Sequence, residues 1–103
     1  MEIIKRISEQ IDEELDGAEA YAKCALKHRE DHPALARAYH EMSMDEMRHV
    51  DMLHAEVVKI IEEHRRKHGD PPASMIAIYN YLHERQIDEA NEVKMYQSQY
   101  RGG

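Results

Sequence analysis

The chain predicts an all-α fold: an antiparallel helical hairpin followed by a third helix. Three observations predict it. Apolar residues recur at three- and four-residue spacing along most of the length, and no strand-like alternation interrupts them. Apart from Gly17 and the terminal Gly102 and Gly103, the helix breakers gather in two short segments, Asp31-His32-Pro33 and Gly69-Asp70-Pro71-Pro72. Charged residues make up 34% and apolar residues 42% of the 103 positions, and charge carried on so periodic a pattern indicates ordered helices rather than disorder.

The first helix is expected from about Ile3 to Arg29. Its seam reads Ile4, Ile7, Ile11, Glu14, Ala18, Tyr21, Ala25, all on one face. The second is expected from Pro33, a residue suited to a first helical turn, to about Lys67. Gly69 closes it as a C-terminal cap, and its seam reads Leu35, Tyr39, Met42, Glu46, His49, Leu53. Asp70 is the expected N-cap of the third helix, with a proline in the first turn. That helix runs to about Tyr100, and residues 101–103 form a frayed, flexible tail. Residues 1–69 thus make the hairpin, and residues 70–103 add a helix and tail to the same domain.

Composition narrows the function. The net charge of −7 argues against nucleic acid or an anionic membrane as partner, since both require a basic surface. The opening Met-Glu-Ile-Ile-Lys-Arg has no long apolar run, so neither a signal peptide nor a membrane span is expected. Cys24 stands alone, which rules out a disulfide framework and suits a reducing cytoplasm. A chain this short, without Phe or Trp, has little to build a core from, and self-association would enlarge it.

The informative residues are those that break the apolar seams. Glu14, Glu46 and His49 sit where a core is expected, and a buried carboxylate is costly unless paired, protonated or bound to a metal. Their positions agree in height. With Asp31 at the middle of the turn, Glu14 lies 17 residues before it and Glu46 and His49 lie 15 and 18 after it. At 1.5 Å per residue all three stand roughly 25 Å from the turn. Glu46 and His49 form an E-x-x-H pair, whose members share a helix face. With fourteen Glu and eight His, about one such pair arises by chance, so its place on the seam opposite Glu14 is what gives it weight.

A Glu followed seven residues later by Tyr (Glu14, Tyr21), then by an E-x-x-H about thirty residues on (Glu46, His49), resembles half of a ferritin-like protein. It is similar to the first helical hairpin of rubrerythrins and to the encapsulated ferritins, which carry one hairpin per chain. The resemblance covers about residues 3 to 65. Full-length ferritin-like chains carry a second hairpin with a second ligand set, and this chain has no second E-x-x-H.

A di-iron carboxylate site in a four-helix bundle takes a Glu from each of two helices and an E-x-x-H from each of the other two. Two copies of this hairpin supply that set, so the expectation is a homodimer, or a larger assembly of dimers, forming a ferritin-like four-helix bundle. Glu14, Glu46 and His49 of each subunit would be both metal ligands and the catalytic set. The resemblance implies oxidation of Fe(II) by oxygen or peroxide at two irons per dimer, with Glu46 bridging and Glu14 and His49 terminal. Manganese or zinc could occupy the same ligands. Tyr21 and Tyr39, each seven residues from a ligand glutamate, would support the ligands by hydrogen bonding or electron donation.

Plainer readings stand beside these. A first-helix seam through Leu15 and Ala22 would turn Glu14 partly outward. Tyr21 and Tyr39 are also ordinary core aromatics, and Met42, Met44, Met47 and Met52 suit irregular core gaps. Glu56 is expected to be exposed beside Val57. The other histidines (28, 32, 40, 54, 64, 68 and 83) share no ligand spacing and are expected on the surface. In the third helix the seam is Met75, Tyr79, Leu82, Gln86, Glu89, Val93, Tyr96, Tyr100. Glu89 and Tyr96 repeat the spacing of Glu14 and Tyr21, which makes Glu89 a secondary ligand candidate. The expected place of this helix is outside the four-helix core or reaching across to a partner. The contrasting function is a non-enzymatic acidic assembly module in which the polar seam forms a hydrogen-bond network.

Overall fold

The computed structural model describes residues 2–102. Among the described residues there are three helices and no strand: α1 (Glu2–His28), α2 (Pro33–His68) and α3 (Ala73–Gly102). The all-α expectation holds, and so do the turn at 29–32 and the cap at Gly69. His28 and His32 carbonyls accept the N–H groups of His32 and Ala36, each at 2.9 Å, which carries the chain through the turn in four residues. Gly69 adopts φ +77°, a left-handed conformation that glycine adopts without strain, and its N–H closes on the Arg65 carbonyl at 2.9 Å.

Two boundaries differ from expectation. Asp70 does not cap α3. Consecutive prolines disfavour helical geometry at the residue before each, so the helix begins only at Ala73, and the Pro72 carbonyl accepts the N–H groups of Met75 and Ile76 at 3.0 and 3.2 Å. The Asp70 carboxylate instead faces Arg65 at 3.7 Å. At the other end, Arg101 and Gly102 are helical rather than frayed. Arg29 from the turn donates to the Gln99 carbonyl at 3.2 Å and ties that end of α3 down. Gly103 lies outside the described residues.

The α1–α2 interface is graded in side-chain size. Near the turn it is made of Ala18, Ala22, Ala25, Ala36 and Ser43; toward the open end, of Ile7, Ile11, Leu15, Val50 and Val57. The interface thus passes from small to bulky buried side chains along its length. Leu15 is fully buried, which stabilises by about 1.5–3 kcal/mol. Four residues of the expected α1 seam, Ile7, Ile11, Ala18 and Ala25, are buried, and the seams shift by one residue elsewhere. Leu15 and Ala22 take the centre in α1 in place of Glu14 and Tyr21, Leu15 removing more apolar surface from water than Glu14 would, and Ala36, Ser43, Val50 and Val57 take it in α2. As a result Leu35, Met42, Met44 and Met52 stay exposed. Only Met47 among the α2 methionines packs against the core cluster. Val57 is buried and Glu56 exposed, as expected.

The third helix does not reach outward. It folds back along its own hairpin, parallel to α1, giving an up-down-up arrangement. Gln86 donates to Ser8 and Asp12 near the start of α1, Lys23 lies over the Tyr96 ring, and Tyr100 stacks on His40 near the turn. The result is a rod of 55 × 19 × 18 Å with a radius of gyration of 16.5 Å, against about 13 Å for a compact chain of this length. Such a rod leaves long lateral faces uncovered.

A buried polar chain ties the three helices together. Ser43 Oγ donates to the Ala18 carbonyl at 2.7 Å and accepts from Gln97 Nε2 at 2.9 Å. Both side chains are buried. Replacing Ser43 by Ala strands the Gln97 amide in a dry interface, so Ser43→Ala should destabilise the fold by about 1–3 kcal/mol, measured by urea denaturation. Adding Gln97→Leu to it should recover part of that loss.

Candidate metal centre

Glu14 of α1 and Glu46 and His49 of α2 meet at one level of the hairpin. One ligand atom from each lies within 4.8 Å of the other two. His49 Nδ1 stands 3.3 Å from Glu14 Oε2 and 4.0 Å from Glu46 Oε1. The rise per residue brings them level, and the i, i+3 spacing puts Glu46 and His49 on one face. Gly17, one turn from Glu14, leaves room for Glu46 to lie against α1: its Oε2 is 3.5 Å from where a side chain at 17 would begin.

The cluster lies at the rim of the interface rather than in the core. Side-chain exposures are 29% for Glu14, 25% for Glu46 and 44% for His49. The Leu15–Ala22 seam is the reason, since it turns Glu14 partly outward. In the single chain the three are therefore only partly buried, along the edge where α1 meets α2. The residues that meet α3 (Ser8, Asp12 and Lys23 on α1; His40 and His54 on α2) occupy other faces of their helices, so α3 leaves the cluster uncovered.

The carboxyls of Glu14 and Glu46 stand close enough to shift each other's proton affinity in opposite directions. The Glu46 carboxyl is raised above its ordinary range by its hydrogen bond with Glu14, then by burial and by the Glu14 charge. The same hydrogen bond holds Glu14 low, against partial burial and with help from His49. A divalent cation held between the two carboxyls would offset their mutual repulsion. Two carboxylates and one imidazole are hard or borderline donors, suited to Fe(II), Mn(II) or Zn(II) rather than copper(I).

Tyr21 and Tyr39 stack on each other with ring centroids 6.1 Å apart, and Tyr39 also stacks on His28. Within the described residues neither is hydrogen-bonded to Glu14, Glu46 or His49. Glu89 is in a different cleft, among Asp12, Asp16, Glu19, Asp88 and Glu92. Burial, followed by Asp16 and Glu19, pushes its carboxyl up to about 8. Reading the histidines as a uniform solvated set missed two contacts: His40 against Tyr100 and His54 against His83. Both cross from α2 to α3, where spacing within one helix carries no signal.

The chain has no match among protein-family models, curated proteins or solved structures. No helix of the described residues is long and apolar enough to cross a membrane.

Glu89 gives a pH test of the acidic cleft. Its folded-state value of about 8 exceeds the ordinary 4.5, so the folded state binds the proton more tightly. Its contribution to stability is complete below about pH 4.5 and is lost as pH rises toward 8. Glu89→Gln should therefore gain melting temperature over the unsubstituted chain across that interval and hold the gain above it. Thermal scans at pH 4, 6 and 8.5 would check this.

Proposed function

We propose that the chain is a ferritin-like di-iron protein that binds and oxidises Fe(II) at a site completed by a second copy of itself. The convergence of Glu14, Glu46 and His49 at one level of the hairpin is the observation that carries this reading. One groove offers two carboxylates and one imidazole, too few to enclose a pair of ions. Two grooves facing each other across a two-fold axis offer four carboxylates and two imidazoles, the donor set of a di-iron carboxylate bundle. Four carboxylate charges balance two divalent ions. The groove is flanked by exposed Leu35 and Met42, apolar surface that a second hairpin would cover.

Fe(II) is the substrate of this reaction. Each of two Fe(II) ions gives up one electron, and the pair reduces oxygen to peroxide or peroxide to water. On this reading the protein's part would be to hold both ions together through Glu14, Glu46 and His49 of each copy. Tyr21 and Tyr39, each seven residues from a ligand glutamate, would support those ligands.

A second reading rests on a specific observation: His49 and Glu14 already pair across the helices at 3.3 Å, with Glu46 beside them. On that reading the chain is a non-enzymatic acidic assembly module, and the cluster fixes register between helices.

Aerobic titration with Fe(II) separates the two. The di-iron reading expects about one iron per chain, absorbance of a diferric centre, a dimer or dimer-based oligomer by light scattering, and a higher melting temperature with metal. Glu46→Gln should slow iron oxidation at least about tenfold. No oxidation, no stoichiometric binding and no response of stability to chelator would leave the assembly module.

A further inference from the structure

We propose a second metal site, separate from the Glu14 groove, at which His54 of α2 and His83 of α3 bind a late first-row divalent ion, with Zn(II) the best match. Their Nε2 atoms lie 3.1 Å apart. The ring planes are nearly parallel, at 7°, with centroids 5.0 Å apart, so the nitrogen edges face each other rather than the ring faces. Two nitrogens 3.1 Å apart and each about 2.0–2.1 Å from a common ion subtend roughly 100° at it, close to the tetrahedral angle of protein-bound zinc. The pair is thus spaced as a chelating bite, without rearrangement of either helix.

The surroundings support the assignment. Tyr79 stacks on His83 at 5.8 Å and holds its ring. Both histidines line one cleft with Ile11, Leu15, Val50 and Ile87, and water would complete the coordination. Two imidazoles without a carboxylate favour zinc, nickel or copper(II) over iron or manganese. The place in the fold gives the ion a structural task. Helix α3 packs chiefly along α1, and its side facing α2 is the less occupied one. An ion held by His54 and His83 clips that side shut.

This site does not depend on the di-iron reading, and the test isolates it. Co(II) is titrated into the full chain carrying Glu14→Gln, Glu46→Gln and His49→Gln together. The expected result is one Co(II) per chain with the visible ligand-field bands of a low-coordinate site, and a melting temperature raised by at least about 4 °C with Zn(II). Adding His83→Gln to that background should abolish both, while circular dichroism shows the helices retained. Adding His83→Cys instead should keep the ion and introduce a thiolate-to-cobalt charge-transfer band, which a purely structural role for His83 would not produce. Absence of Co(II) bands in the triple variant, or binding that survives His83→Gln, would overturn the proposal and leave His54 and His83 as a simple imidazole–imidazole hydrogen bond.

Discussion

The antiparallel register of α1 against α2 is the constraint on which everything else in this molecule depends. A slip of one residue in α2 would move Glu46 by 1.5 Å along the axis and turn it by about 100° around it, out of reach of Glu14. The register is set from both ends of the interface. The turn fixes it through two backbone hydrogen bonds at His28 and His32. The size gradient fixes it through packing, because Ala18, Ala22 and Ala25 share the turn end of the interface with Ala36 and Ser43. Ser43 adds a directional bond to the Ala18 carbonyl, which apolar contact alone cannot supply. The cluster is a consequence of packing decided elsewhere.

The helices, the turn and the level of the cluster were legible in the sequence, because each rests on local rules: breakers at 31–33 and 69–72, and a constant rise per residue. What lay beyond local rules was the rotation of the helices about their axes. Glu14 and Leu15 are one residue apart, and both seams through them have acceptable periodicity. The choice between them turns on which buries more apolar surface against a particular partner, and Leu15 with Ala22 wins. That one-residue rotation turns Glu14 partly outward, and the matching rotation of α2 leaves Met42 exposed. Helix α3 was the least legible, since its apolar residues fall on two stripes and its anchors are polar. Gln97 on Ser43, Gln86 on Ser8 and His83 on His54 are all contacts between residues far apart in sequence.

The two flanks of the hairpin are unequal. Helix α3 covers one, where Asp12, Asp16 and Glu19 crowd against Glu89. The other carries Leu35, Met42 and the Glu14 groove, with no element over it. In a single chain that site makes no severe demand, because water reaches all three side chains and His49 stands 3.3 Å from Glu14. This explains how so short a chain tolerates two carboxylates beside its core.

The demand changes if the groove is covered. Under the proposed pairing, a second hairpin would remove water from four carboxyls at once, and shared protons alone would leave a poorly compensated polar core. Divalent ions would remove that cost, and the dimer would in turn supply the ligands that one groove lacks. Pairing and metal binding would then be two halves of one equilibrium: each would strengthen the other by the same free energy, since linkage between binding events is reciprocal. The half-exposure of Glu14, Glu46 and His49 is what permits this coupling. A cluster fully buried in one chain would need its metal in order to fold, and one fully exposed would gain nothing from a partner. Lying at the rim, it would leave the separate chain folded and, under the proposed pairing, make assembly the step that responds to the metal.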